Sequence, residues 1–340
     1  MSERRDFLKM LAGLTAGILL PYPSLPGQSA NYRDKLGEML PLRKLGRTGD
    51  QVTMLGLGGY HIGWTTEKDA TETIEAALEG GIRFFDTAEA YGPHISEERY
   101  GKFLTPKYRD KIFLMTKTSA KDYQTAKEHL EASLERLKTD HLDLWQAHAI
   151  VSKEDADARI DNGVFKFMKE AKASGRIRHI GFSGHSNAAA HAYLLQRLDE
   201  EGLPDTVQMP VNPVDAGHPV SFVKQVIPPA YKMERGILAM KTLAGGQFFS
   251  EKKELDKKIW ETGDPVVPGR ISLEDTLNFV WSLPVSVLIT GASTRKMIEE
   301  KISIAKNHVN LSDSKRQGLI DKVTDLSLGE KVEYYRNRKF

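Results

Sequence analysis

Four residue types fall where proton transfer could use them: Asp86 and Tyr91 within "FFDTAEAYG", Lys117 in "FLMTKTS" and His148 in "LWQAHAI". A phenol with an ordinary pKa of about 10 exchanges protons poorly at neutral pH, but a nearby ammonium favours the phenolate and lowers that pKa. An acid would keep the lysine charged and positioned, and a histidine can hydrogen-bond the reacting oxygen of a substrate. Such a set is a general acid for a carbonyl oxygen becoming an alcohol. Taken singly, each residue has a duller role: Asp86 with Lys117 as a structural ion pair, His148 as a half-buried histidine, Tyr91 as a loop aromatic.

That chemistry requires all four side chains on one rim, and the chain's periodicity supplies one. Helical stretches with apolar residues at i, i+4 and i+7 stop at a glycine and are followed at once by a β-branched or aromatic run. "ATETIEAALEGGIRFFDT" places Ala70, Ile74, Ala77 and Leu78 on one helix face, stops at Gly80-Gly81, then runs Ile82 to Phe85 as a strand. The pattern recurs around Gly175 and Gly236. Strand starts are expected near Met54, Ile82, Ile112, Leu142, Ile177, Thr206, Ile237 and Val287. Alternation of strand and helix implies parallel strands with right-handed crossovers, and eight such units fit a closed (β/α)8 TIM barrel of the α/β class better than an open doubly wound sheet. Asp86, Lys117 and His148 then end strands two, three and four, whose axes lie about 4.8 Å apart.

Before the first strand, "LRKLGRTGDQVTML" reads as a β-hairpin that could plug the barrel bottom. Long connections at 149–163 and 243–271, after strands four and seven, lie on the C-terminal face, where barrels build their sites. The expected organisation is a targeting segment over 1–30, a linker over 31–41, the barrel over 42–325 and a tail over 326–340.

Composition narrows the chemistry. A formal net charge of +2, with no basic stripe interleaved with aromatics, gives no case for nucleic acid. The chain has no cysteine, which excludes disulfides, thiolate metal sites and cysteine nucleophiles. His61, His94, His185 and His218 form no H-x-H or H-E-x-x-H pattern, so no metal site is expected. The first residues read differently from the rest: Arg4-Arg5, then an apolar stretch from Met10 to Leu20, then prolines. The stretch is too short to span a bilayer, so no stable membrane anchor is expected, and the start resembles a twin-arginine export signal. The expectation is export to the periplasm through the twin-arginine machinery, with a cytoplasmic location if the signal is silent.

Asp86-Thr87-Ala88 before Tyr91-Gly92, then Thr116-Lys117, then Gln146-Ala147-His148 resemble the pattern of the aldo/keto reductases over roughly residues 42–305. The resemblance implies Tyr91 as proton donor, Lys117 as its pKa partner, Asp86 as the lysine's counter-ion and His148 as the substrate-orienting residue. It also implies hydride transfer from a nicotinamide bound without a G-x-G-x-x-G fingerprint, which follows no strand here. Gly58 and Gly59 would contact the cofactor, and Ser183 with Gln208, and Met240, Lys241 and Leu243, would line the nicotinamide half. Asn187, the partner usual beside the serine, is displaced by the extra Gly184-His185. Gly291, Ala292, Ser293, Arg295 and Glu300 would hold the adenosine phosphate at a helix start, a geometry suited to anions. Arg295 and Lys296 favour a 2′-phosphate, hence NADP over NAD. Met297 and Lys301 depart from the residues common at the adenine end.

The implied function is reduction of a small aldehyde or ketone to an alcohol, or the reverse. Two other readings use the same residues: a nucleotide-binding sensor or accessory barrel with little turnover, and a lyase that forms a Schiff base on Lys117.

Overall fold

The computed structural model describes residues 32–248, 269–328 and 332–336, together with the backbone at 250–254 and 257–261. The proposed export signal and the last residues of the tail lie outside the described residues. Eight parallel strands close on themselves: β1 (Leu55–Gly58), β2 (Phe84–Asp86), β3 (Phe113–Thr118), β4 (Leu142–Ala147), β5 (Ile177–Ser183), β6 (Thr206–Pro210), β7 (Gly236–Met240) and β8 (Val287–Gly291). Each pairs with its sequence neighbour, and β8 pairs with β1 through Gly291 and Gly58, so the expected barrel is formed.

Strand alternation divides the apolar residues into two layers. Phe84, Phe113, Met115, Leu144, Leu238, Val287 and Ile289 point into the barrel. Phe85, Leu114, Trp145 and Ile180 point outward beneath the helices. β2 begins at Phe84 rather than at Ile82, because Arg83 is held below the barrel. Its amide donates to Thr53 Oγ1 at 3.1 Å and its guanidinium to Asp34 at 2.7 Å.

The hairpin of Leu42–Lys44 with Gln51–Thr53 is antiparallel and stoppers the N-terminal end. Leu45 and Val52 complete the interior cluster. Asp50, from the turn, accepts from His179 at 2.6 Å and Arg178 at 2.7 Å, which ties the stopper to β5. The stretch expected as a linker forms its own short pairing, Arg33–Asp34 with Gly37–Glu38, and buries Leu40.

At the other end, the connection after β4 carries a helix, Lys153–Asp161, and the one after β7 a 3-10 turn, Ala244–Gly246, followed by a hairpin of Ser250–Glu254 with Lys257–Glu261. The connection after β6 is built from three short helices and receives the C-terminal segment. Glu333 accepts from Tyr335 Oη at 2.5 Å, from Arg336 Nε at 2.5 Å and from Asn212 at 3.1 Å. Arg336 also pairs with Asp215, whose carboxylate accepts from Ser221 Oγ and from the amides of Phe222 and Val223. Val332 and Tyr335 are buried, so this short segment is packed as core. Among the described residues, no helix is long and apolar enough to cross a membrane.

Two stability measurements check these contacts. Leu45→Ala empties part of the interior layer and should cost about 2–5 kcal/mol in a denaturant titration; a loss within error would show that the stopper packs loosely. Burial pushes the Asp215 carboxyl up to about 6 against the pull of Arg336. The folded chain therefore holds that proton more tightly than the unfolded chain, so ionising it costs stability, and stability falls as pH rises from about 4 to about 6. Arg336→Met removes the opposing attraction and should deepen that fall and carry it to higher pH, read as Tm against pH; a parallel offset at all pH values would refute the coupling.

Candidate active site

Asp86 closes β2, Lys117 stands one residue short of the end of β3, and His148 follows β4 directly. Tyr91 reaches the same point by a tight turn. Its amide donates to Ala88 O at 3.0 Å, and Gly92 then takes φ +64, where a Cβ would strike the Gly63 carbonyl. Behind the turn, Thr87 Oγ1 and Ser96 Oγ lie 2.7 Å apart, and Ser96 donates to Gly59 O at 2.8 Å, which locks the turn to the start of the Gly59–Trp64 helix.

The Lys117 ammonium is buried and finds three acceptors for its three protons. It donates to the Asp86 carboxylate, to Thr87 O at 2.7 Å and to Tyr91 Oη at 3.3 Å. The His148 ring stands 5.8 Å from the Tyr91 ring and nearly perpendicular to it. Arg159 donates to His148 O at 2.8 Å, and the His148 amide to Thr118 O at 2.8 Å, so the backbone carrying the ring is held on both sides.

Burial dominates the electrostatics. It raises the Asp86 carboxyl and lowers the Lys117 ammonium, and the attraction between the two opposes both shifts. Tyr91 is pushed well above its ordinary value, first by burial and then by the Asp86 charge. This reverses the direction expected from the sequence. The lysine's charge is offset by its carboxylate, and a buried phenolate has lost its water, so Tyr91 keeps its proton at neutral pH. His148 is lowered well below its ordinary value by burial and then by the Lys117 charge, and is therefore a neutral imidazole, donor on one nitrogen and acceptor on the other.

Ser183 and Gln208 face each other across the β5–β6 register, and Ser183 Oγ and Gln208 Oε1 are buried with no hydrogen-bond partner. Met240 closes β7 and is buried; Lys241 follows at φ +54, an uncommon conformation for a residue with a Cβ, and Leu243 packs on the core. Gly58 pairs with both Asp86 and Gly291. Ala292 is buried and Ser293 half-buried, at the start of the Arg295–Lys306 helix.

Several residues around the site have protein partners of their own. Asn187, expected to be displaced from the serine, caps the Ala188–Asp199 helix, accepting from Ala190 N at 3.0 Å. Arg295 is paired with Glu79 and with Glu299 at 2.7 Å on the outer surface, and Glu300 is exposed. Lys301 is buried and donates to Gly291 O at 2.6 Å, its pKa lowered by burial to about 8. The His61 ring fills the space over Gly291, where a Cβ would lie 2.1 Å from Nδ1.

The sequence reading did not identify Tyr60 and Trp64. They stand 52% and 54% exposed; the Tyr60 ring lies 5.5 Å from that of Tyr91, and the Trp64 ring 6.2 Å from that of Tyr60. Aromatics at i and i+4 directly after a barrel strand, in "GGYHIGW", were the available signal. Among the described residues, no group of three or more acidic or histidine side chains is placed to hold a metal ion.

A model of the aldo/keto reductase family matches residues 54–308. The aldo-keto reductase YhdN of Bacillus subtilis is 39% identical over 160 residues, 41% of this chain but only 45% of that protein's length. The uncharacterized oxidoreductase YrpG of Bacillus subtilis is 30% identical over 258 residues, 68% of this chain and 75% of that protein. In structure, the holo form of aldo-keto reductase AKR11C1 from Bacillus halodurans superposes with a TM-score of 0.68 at 22% identity, over 83% of this chain and 96% of that one, which speaks for the fold. With the family model spanning the barrel and the rim of strand ends that carries Asp86, Lys117 and His148, the chain belongs to the aldo/keto reductase family.

Proposed function

We propose that this oxidoreductase reduces an aldehyde or ketone to an alcohol, or runs the reverse, with a nicotinamide dinucleotide, NADP in preference to NAD, and with Tyr91 as the proton donor. The observation that carries the reading is the buried Lys117 ammonium, tied to Asp86 and donating to the Oη of a protonated Tyr91. His148, neutral and adjacent, can donate to the carbonyl oxygen and set its orientation. As negative charge develops on that oxygen, the Tyr91 O–H bond breaks and the proton passes to it. Lys117 then stabilises the phenolate through the hydrogen bond already in place, and solvent returns the proton. Asp86 keeps Lys117 charged throughout.

The residues present fit a nicotinamide. Its carboxamide has one acceptor and two donor positions, and the unpartnered Ser183 Oγ and Gln208 Oε1 are a donor and an acceptor side by side. When bound, the reduced nicotinamide supplies the hydride. Gly291 to Ser293 would receive the adenosine phosphate at the helix start. Lys296 is exposed there, and the ion pairs of Arg295 are solvent-screened surface pairs, so exchanging them for a 2′-phosphate costs little.

Tyr91→Phe should lower carbonyl-dependent NADPH oxidation at least about 100-fold while the protein still binds nucleotide; full activity in this variant would overturn the assignment. Joint replacement of Arg295 and Lys296 by alanine should raise KM for NADPH more than KM for NADH, and equal changes would remove the basis for NADP preference.

A further inference from the structure

Glu89 takes no part in the proton transfer, yet it is buried two residues before the proton donor. Its carboxylate accepts from the Ser119 amide at 2.7 Å, from Ser119 Oγ at 2.6 Å and from His129 Nδ1 at 2.8 Å. Thr118 Oγ1 lies 2.9 Å from the same ring nitrogen and accepts from the Ala120 amide at 3.1 Å. These partners come from the end of β3 and from the Tyr123–Leu137 helix that follows it.

The stretch from Asp86 to Tyr91 is thus fastened to the β3 unit twice. From the mouth, Lys117 meets Asp86, Thr87 O and Tyr91 Oη; from the helix layer, Ser119 and His129 meet Glu89. The first fastening reaches the phenol only at 3.3 Å, just past the usual range for such a bond, so the place of Tyr91 depends on the turn beneath it. In that turn the Tyr91 amide donates to Ala88 O and the His94 amide to Glu89 O, each at 3.0 Å. Glu89 therefore holds the turn by its backbone and the β3 unit by its side chain.

Burial alone would raise the Glu89 carboxyl, but the hydrogen bonds from His129 and Ser119 outweigh it and hold the group below its ordinary value. The bond to Glu89, opposed by partial burial, raises His129 above its own. The other charged groups that face the ring are Arg136 and Glu128 on its own helix and Asp122 at the cap. On the helices packed alongside, Ile95–Phe103 and Val164–Ala173, Glu97 is taken by Arg136 and Thr116, and Glu170 by Tyr123. Below its raised value His129 is an imidazolium against a carboxylate; as pH rises through that value the ring becomes neutral. A charge-assisted hydrogen bond is roughly twice as strong as a neutral one.

We infer that Glu89 and His129 are a positioning pair, which in its charged form clamps the Asp86–Tyr91 turn to the β3 unit and so fixes the distance over which Tyr91 delivers its proton. The inference rests on the carbonyl-reductase reading. Proton delivery is steep in distance, a misplacement of about 1 Å costing on the order of 100-fold. The rate inside the barrel then depends on a half-buried histidine of the outer helix that touches no reactant.

The test is the single-turnover rate of NADPH oxidation by propanal from about pH 6 to about pH 9, beside the titration of the His129 ring followed by NMR. The wild-type rate should fall about three- to tenfold as pH rises, with its midpoint at that of the ring, above about 6.5. Tyr91 and His148 are displaced well above and well below their ordinary values, so neither changes form in this window. His129→Gln keeps a donor for Glu89 but does not titrate, and should flatten the fall while NADPH binding, followed by fluorescence, stays within about twofold. Glu89→Gln should flatten it as well and lower the rate about tenfold at the acid end. A limb that arises from Lys117 would survive in His129→Gln. A fall that persists in His129→Gln with its midpoint unmoved, or a wild-type rate that is flat across the titration of the ring, overturns the inference and leaves the carbonyl-reductase reading standing. Variants that lose thermal stability but keep the wild-type profile overturn it too, since the pair is then only structural. A wild type that oxidises NADPH with neither propanal nor any other carbonyl overturns that reading, and this inference with it.

Discussion

A buried ammonium is the constraint around which the mouth of this barrel is arranged. Taking a lysine out of water costs several kcal/mol, and the cost is recovered only if each proton has an acceptor. Lys117 obtains them from the carboxylate that ends β2, the next carbonyl in the chain, and the phenol of the following turn. Those acceptors come from one short stretch, so the strand must end at Asp86 and the turn must bring back Tyr91. The same demand explains why an apolar strand runs directly into an acid: Phe84 and Phe85 serve the two layers of the scaffold, and Asp86 serves its neighbour strand.

Much of the architecture was legible in the sequence because it depends on local rules. Helix, glycine and strand succeed one another about every thirty residues, and strand ends fall on one rim whatever the details of packing. Asp86, Lys117 and His148 were readable for that reason, and the hairpin stopper because two short apolar-alternating pieces flank its turn at Gly46 to Asp50. The start of β2 was misplaced because Ile82 leads straight into the apolar pair Phe84-Phe85, yet Arg83 between them is claimed by Asp34 and Thr53 from earlier in the chain.

What could not be read are features that need distant segments or burial. Ring contacts at the barrel mouth join residues from positions 60 to 335, and no spacing rule connects them. The carboxylates that meet Arg295 come from Glu79 and Glu299, and the first of these lies too far along the chain for any spacing rule to connect them. The direction of the Tyr91 shift also lies beyond the sequence. An ammonium and a phenol in proximity suggest phenolate, and only the buried position, with Asp86 beside the pair, shows that the proton stays.

The hairpin stopper has a further consequence. With Leu45 and Val52 sealing one end of the barrel, every molecule that reaches the strand ends must come and go by the opposite opening. Traffic to the strand-end rim is thus confined to one face of the barrel by a contact at its far end.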